Sequence, residues 1–264
     1  MFNTCKNIIV ASNSPRRQQF FKDLGIDFCV PSINYSHNLI SLKNAEIAKT
    51  GILGCNDLEE RPQEKESPLA YAIRMANKKV IEFAFSYYNK KMQDQSALLF
   101  DTVLANKYEF HLSFPITRYD INFFEQKEQQ EENIILSADT IVCLGDEILG
   151  KPKSKDEALV MLRSLVGRSH FVITAVSIIN TTEQKLYSFY DQTKVDFMPW
   201  SFELLKAYVD TGESLDKAGA YGISGLGSFL SNSIQGSWDT VVGLPIAKCV
   251  EFLLWHKAIC IKEV

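Results

Sequence analysis

The sequence lacks the features that several common classes of protein require. Its formal net charge is −4 over 264 residues, so it has no global basic field of the kind that binds nucleic acid. No apolar run approaches the length of a membrane span, and residues 1–10 are too few and too polar for a signal peptide. We therefore expect a cytoplasmic protein with neither a nucleic-acid nor a membrane partner.

Metal-binding and redox motifs built from cysteine or histidine are also missing from the sequence. The four histidines form no HExxH pair, and the six cysteines form no CxxC pair, so a zinc site is not expected. The absence of GxxxxGK[ST] excludes a P-loop nucleotide hydrolase. We interpret the cysteines as reduced and mostly buried thiols; they are Cys5, Cys29, Cys55, Cys143, Cys249 and Cys260.

Serine followed by proline marks the predicted starts of two helices. Serine is a favoured N-cap residue, and proline fits the first helical position. The first such helix follows Ser14-Pro15 and should end near Gly25, and the second follows Ser67-Pro68 and runs to about residue 88. Further helices are predicted behind the capping box at 154–157, over 202–208 and over 246–258.

Apolar runs between these helices predict the strands of an α/β domain. The two longest strands are expected over 171–179 and 185–197, as an antiparallel pair. Shorter ones are expected over 7–11, 27–30, 134–138, 141–144 and 147–149. The whole chain, 1–264, is interpreted as one domain with insertions at 36–66 and 89–133, the second containing the charged, solvated run EQKEQQEE.

Residues 11–17, ASNSPRR, have the composition of a phosphate-binding loop. A helix N-terminus offers free N–H groups and the positive end of a dipole, which attract anions. Arg16 and Arg17 oppose that dipole, and a bound phosphate chain would explain their presence. Ser12 and Ser14 add hydroxyl groups. The alternative is two solvated surface arginines.

Three further segments are candidates for chemistry. Asp139 follows the apolar run 134–138, a position typical of a metal ligand or general base, or of a simple turn residue. Lys151, in Gly150-Lys151-Pro152, could meet a phosphate or be merely solvated. Residues 216–227 contain four glycines, which indicates tight turns or a close approach of the backbone to another group.

Taken in order, these segments resemble the Maf family of nucleotide pyrophosphatases. The resemblance extends over 10–17, 138–140, 150–152, 165–170, 216–227 and 236–245. It implies a two-lobed α/β fold, similar to the inosine triphosphatase fold, with a long central mixed sheet and a cleft between the lobes. It also implies a homodimer that hydrolyses a nucleoside triphosphate to a monophosphate and pyrophosphate, with Mg2+ or Mn2+ as cofactor.

The resemblance assigns roles to nine residues. It implies that Asp139 is the catalytic acid or base and a metal ligand, and that Lys79 and Lys151 are catalytic cations that meet phosphate. The substrate-binding residues would be Ser12, Ser14, Arg16, Arg17, Thr140 and Ser224.

Two positions depart from the family pattern. Arg16 and Thr140 resemble the subgroup that acts on dTTP and UTP, but Ser224 replaces the glutamine usual there and also differs from the acid usual in the 7-methyl-GTP subgroup. Asn34 stands where the family usually has a metal-assisting acid, and Glu46 or Asp57 are alternative acids. We expect hydrolysis of dTTP, UTP or modified pyrimidine nucleotides. The alternatives are a catalytically weak nucleotide-binding or regulatory protein, or a 7-methyl-GTP pyrophosphatase.

Overall fold

The computed structural model of the protein describes residues 1–31, 62–88, 112–121 and 124–263. Its helices are α1 (Pro15–Leu24), α2 (Pro68–Tyr87), α3 (Gln126–Gln130), α4 (Lys155–Leu165), α5 (Phe202–Asp210), α6 (Trp238–Val242) and α7 (Ile246–Trp255). Its strands are β1 (Phe2–Thr4), β2 (Asn7–Val10), β3 (Thr117–Asp120), β4 (Asn133–Leu144), β5 (Glu147–Leu149), β6 (Ser169–Asn180), β7 (Lys185–Phe197), β8 (Ser231–Gln235) and β9 (Ile259–Ile261).

A long mixed sheet forms the centre of the molecule, with strand order β2-β4-β6-β7-β3. The three central strands are antiparallel neighbours of 12 or 13 residues each, whereas β2 pairs with β4 in parallel. β5 continues the edge beside β4, and β8 continues the edge beside β7. This arrangement confirms the predicted α/β class with a long mixed sheet.

Helix α2 covers one face of this sheet along its length. Its first half packs Tyr71 and Met75 against Ile141 and Ile173 of the central strands. Its second half continues the contact with residues of β2, β4, β6 and β7. A helix of 20 residues spans about 30 Å, which is long enough to cover both ends of the strands.

The opposite face of the sheet carries two separate cores, one for each lobe. The first packs α1 and α7 on one end of the sheet and includes Ala138 of β4. The second packs α4 and α5 on the other end and includes Val142 of β4. Thr140 lies between these two residues on the same face, because alternate residues of a strand share a face. The boundary between the lobes therefore crosses β4 beside Asp139 and Thr140.

Three local predictions need correction. Residues 27–30 form no strand, and Cys29 makes only an isolated parallel bridge with Ile9. The two short strands expected over 134–138 and 141–144 are one continuous strand, because Asp139 and Thr140 keep the ladder with β6 unbroken. The charged run EQKEQQEE has no buried residue, which agrees with the predicted solvation, but it contains the short helix α3 with its own capping box instead of irregular backbone.

Much of the two predicted insertions lies outside the described residues, as do Asn34, Glu46 and Asp57. Within the range 89–133, β3 joins the edge of the central sheet beside β7, and the insertion boundaries stay a prediction. Among the helices that the structure describes, none is long and apolar enough to cross a membrane.

Candidate active site

Two adjoining cavities, of about 800 and 650 Å3, occupy the cleft between the lobes. All nine residues proposed from the sequence line at least one of them: Ser12, Ser14, Arg16, Arg17, Lys79, Asp139, Thr140, Lys151 and Ser224. They come from α1 and the loop before it, from α2, from β4 and from two loops far along the chain. The fold therefore brings together every residue that the motifs indicated.

An ion pair between α2 and β4 lies at the floor of the cleft. Asp139 faces α2, and Lys79 Nζ lies 2.5 Å from its Oδ1. The Asp139 residue is 8% exposed, whereas the Lys79 side chain is 35% exposed, so the lysine extends towards solvent. Ser137 on the same face donates to the Ala76 carbonyl oxygen at 2.7 Å, which fixes α2 against β4. The position of the pair is thus set by the contact between helix and sheet.

The guanidinium group of Arg17 links three segments of the chain. Its Nε donates to the Gly243 carbonyl oxygen at 2.8 Å, Nη1 to Ser12 Oγ at 3.2 Å and Nη2 to Thr140 Oγ1 at 3.0 Å. Burial lowers the pKa of Arg17, and the nearby Asp139 carboxylate opposes that effect. Three of its five N–H groups are occupied, so two are left to contact a ligand.

The hydroxyl group of Thr140 is engaged on the face opposite Asp139. It accepts from Arg17 and lies 2.9 Å from Thr174 Oγ1, which donates to the Thr240 carbonyl oxygen. Since Thr174 gives its proton to Thr240, Thr140 must donate to Thr174. This residue therefore connects the strand that carries Asp139 to the loop that carries Gly243.

Two hydrogen bonds fix the loop before α1, which borders the cleft. Ser12 Oγ accepts from the Ser14 backbone N–H at 3.3 Å, and Gln18 Nε2 donates to the Ser12 carbonyl oxygen at 3.1 Å. Ser14 occupies the N-cap position of α1 as predicted, but its side chain makes no capping hydrogen bond. Its hydroxyl group is thus available to a ligand at the N-terminus of the helix.

Two cations in the cleft make no close contact with a protein acceptor among the described residues, although Arg16 is near enough to Asp216 to help lower the pKa of that carboxyl. Arg16 and Lys151 line both cavities, and neither forms a hydrogen bond or ion pair with any other described residue. Arg16 belongs to the first turn of α1, and Lys151 follows β5. Cationic groups that line the same cavity without hydrogen-bonding partners favour an anionic ligand in it.

The glycine-rich segment 216–227 is shaped by Glu213. The Glu213 carboxylate accepts from the Leu226 N–H at 2.8 Å and from the Gly227 N–H and Tyr208 hydroxyl at 3.1 Å each. A Cβ at Gly225 would lie 2.6 Å from Glu213 Oε2, which no larger residue tolerates without a shift. The close approach predicted from the glycines is therefore made in part by this side chain, and the loop carries Ser224 at the edge of the cleft.

Sequence reasoning missed Glu213 and Thr174, and it placed Gly243 in the segment 236–245 without identifying its contact with Arg17. Gly243 meets Arg17, and Thr174 meets Thr140, only after the sheet has formed. Lys217, which donates to Asp216 and lines both cavities, was noticed only as part of a glycine-rich run. The glycines signalled a close contact, but they did not indicate which side chain makes it.

The donor set of the cleft fits a metal ion that arrives with a phosphate chain. Among the described residues, no group of three or more His, Cys, Asp or Glu side chains could hold a metal ion. Mg2+ is commonly bound by one or two carboxylates together with substrate phosphates, and Asp139 supplies one carboxylate.

Comparison with known proteins agrees with this geometry. The family model described as "Maf-like protein" matches residues 7–255. The dTTP/UTP pyrophosphatase of Desulfotalea psychrophila is 33% identical over 261 residues, covering 99% of this chain and all of the relative. Those of Nitratidesulfovibrio vulgaris and Thermoanaerobacter sp. strain X514 are 34% identical over 258 residues and 38% over 181 residues. These matches cover 98% and 66% of this chain, and 91% and 95% of the relatives.

The family match thus includes both lobes and every cleft residue named above, from Ser12 in the first loop to Ser224 and Gly243. Two of these relatives align over 98% and 99% of this chain, and all three carry the same name. On these grounds the chain belongs to the Maf family.

Proposed function

We propose that the protein hydrolyses nucleoside triphosphates to a nucleoside monophosphate and pyrophosphate, with dTTP and UTP as the preferred substrates. The observation that carries the proposal is the cleft around Asp139, where Arg16 and Lys151 form no hydrogen bond or close ion pair with another described residue. A triphosphate carries about four negative charges, and bond cleavage adds charge to the departing pyrophosphate. Cations already placed in the cleft stabilise that charge without reorganising during the reaction.

In the proposed reaction, Asp139 orients a water molecule towards the α-phosphorus and accepts its proton. The bond from the α-phosphorus to the bridging oxygen breaks, and pyrophosphate leaves. Lys79, 2.5 Å from Asp139 Oδ1, orients the carboxylate and contacts a phosphate oxygen from the exposed end of its side chain. Arg16, Lys151 and the free N–H groups of Arg17 bind the remaining phosphate oxygens.

A divalent cation, Mg2+ or Mn2+, is part of the proposal. Asp139 would hold it together with phosphate oxygens of the substrate, and the ion would neutralise charge on those oxygens as the bond breaks. If the metal ion neutralises the phosphate charge in this way, Lys79 serves to keep Asp139 oriented.

The preference for pyrimidine bases rests on the relatives. Three of them, 33–38% identical to this chain, are named dTTP/UTP pyrophosphatase. Ser224 lies exposed at the edge of both cavities and carries a short side chain, so it reaches a base through a bridging water molecule. The space left by a short side chain also admits modified pyrimidines. A homodimer remains part of the proposal.

A product assay tests this function. The purified protein is incubated with dTTP, UTP, CTP or 7-methyl-GTP, with Mg2+ or Mn2+, and the nucleotide products and pyrophosphate are measured. We expect equal amounts of monophosphate and pyrophosphate, with the highest kcat/KM for dTTP or UTP. Nucleotide binding without turnover would favour the regulatory alternative, and a highest kcat/KM for 7-methyl-GTP would overturn the base preference.

A further inference from the structure

Two exposed cysteines meet where the ends of the chain pair. β1 and β9 form an antiparallel ribbon in which Asn3 lies opposite Cys260. Cys5 follows β1 directly, and its backbone N–H donates to the Ala258 carbonyl oxygen at 2.8 Å. Cys5 Sγ lies 3.3 Å from Cys260 Sγ, although 255 positions separate the two residues in the sequence. The reading of the cysteines as mostly buried thiols is wrong for this pair, since both are exposed.

The geometry of this pair is close to that of a disulfide. An S–S bond is about 2.05 Å long, so the sulfur atoms must approach by a little more than 1 Å. Closing this gap requires the two side chains to rotate towards each other while the ribbon stays paired. Among the other described cysteines, Cys143 and Cys249 are buried, and no sulfur–sulfur contact is formed by either of them or by Cys29.

We propose that Cys5 and Cys260 form a reversible intramolecular disulfide when the protein meets a peroxide. One thiolate attacks the peroxide, its sulfur is oxidised to a sulfenic acid, and the peroxide is reduced. The second thiol then displaces the sulfenic oxygen as water and closes the S–S bond. In total, two thiols and one hydrogen peroxide give one disulfide and two water molecules. A dithiol reductant reverses the reaction.

The contact between the thiols also affects how readily they react. The hydrogen bond that Cys5 donates to Cys260 raises the pKa of Cys5, with a smaller contribution from desolvation. Because the thiolate is the nucleophile, a raised pKa slows oxidation at neutral pH. We therefore expect the disulfide to form faster as the pH rises above neutrality.

The bond would join the two ends of the folded chain far from the cleft. Ser12 lies seven positions after Cys5, and the six residues between them include β2, about 20 Å of extended chain. A cross-link at this distance leaves the cleft residues unmoved, so the inference does not depend on the proposed function. By restricting the unfolded chain, it should raise Tm by roughly 5 °C or more.

Peptide mapping of the full-length protein tests the proposal. The protein is treated with hydrogen peroxide, digested without reduction, and compared with a sample reduced by dithiothreitol. We expect a cross-linked peptide containing Cys5 and Cys260, a protein mass lower by two hydrogen atoms and a higher Tm, all reversed by the reductant. Activity towards UTP should change by less than about two-fold.

Matched variants keep the test decisive. Cys5→Ser and Cys260→Ser should each lose the cross-link and the rise in Tm, whereas Cys29→Ser should retain both. Oxidation of Cys5 or Cys260 to sulfinic acid without a cross-link would overturn the proposal, as would a disulfide of either residue with Cys55 or with another molecule. A cross-link that leaves Tm unchanged would overturn the stabilising effect.

Discussion

The Lys79–Asp139 pair shows how a single contact can prepare a carboxylate for catalysis. A nearly buried carboxylate is costly unless a cation or hydrogen-bond donor accompanies it. Lys79 Nζ supplies the cation at 2.5 Å, and its partly exposed side chain remains within reach of a ligand in the cleft. The lysine therefore connects the general base to the phosphate chain in the proposed reaction.

Replacing Lys79 tests this role. Lys79→Met keeps the length and apolar stem of the side chain but removes its charge, and we expect kcat for UTP to fall by about 100-fold or more. The matched control is Lys78→Met on the same helix, where the lysine pairs with Glu82 at 3.9 Å. Steady-state kinetics with Tm as a check on folding make the comparison, and equal losses in both variants would contradict the assigned role.

At the scale of single residues, the sequence indicated which residues lie together in the cleft but not which hydrogen bonds they make. Arg17 was expected among the residues that contact phosphate, and three of its N–H groups are occupied by Gly243, Ser12 and Thr140. A local motif cannot reveal two of these contacts, because Gly243 and Thr140 are 226 and 123 positions away from Arg17.

At the scale of elements, the loop over 216–227 depends on a carboxylate outside its glycine-rich part. Desolvation alone would raise the pKa of Glu213, but the N–H groups of Gly227 and Leu226 stabilise its ionised form and hold the pKa below the ordinary value. The ionised carboxylate therefore fixes the backbone beside Ser224. We expect this loop to set substrate affinity more than the rate of bond cleavage.

Glu213→Gln tests that expectation. The amide keeps the size of the side chain but loses the charge that strengthens its hydrogen bonds to the backbone. We expect KM for UTP to rise about ten-fold and kcat to fall less than three-fold, because a less ordered loop weakens binding before it affects Asp139. Glu203→Gln, on the exposed face of α5, is the control and should leave both constants unchanged. A fall in kcat without a rise in KM would contradict this account.

Elements with strong local signals were predicted well. The starts of α1 and α2 follow from serine-proline pairs, and the strong apolar content of β6 and β7 marked both as long strands. β3 was missed because Thr117–Asp120 has no clear alternation of apolar and polar residues, and it becomes a strand only by pairing with the edge of β7.

At the scale of the whole molecule, the two lobes share the long central strands, which run without a break from one lobe into the other. β4, β6 and β7 pass from one lobe to the other, and the cores change between Ala138 and Val142. Asp139 therefore lies on a rigid strand where the cavities open. The sequence could indicate this only through the family resemblance, because apolar periodicity does not distinguish a strand shared by two lobes from two short strands.

The central claim is that water attacks the α-phosphorus of a nucleoside triphosphate bound at Asp139. The most direct test is hydrolysis of UTP in 18O-labelled water by the wild type and by Asp139→Asn, followed by mass spectrometry of the products. We predict that the label appears in the monophosphate and not in pyrophosphate. We also predict a rate at least about 1,000-fold lower for Asp139→Asn at unchanged Tm. Label in pyrophosphate or inorganic phosphate, or a variant as fast as the wild type, would contradict the account.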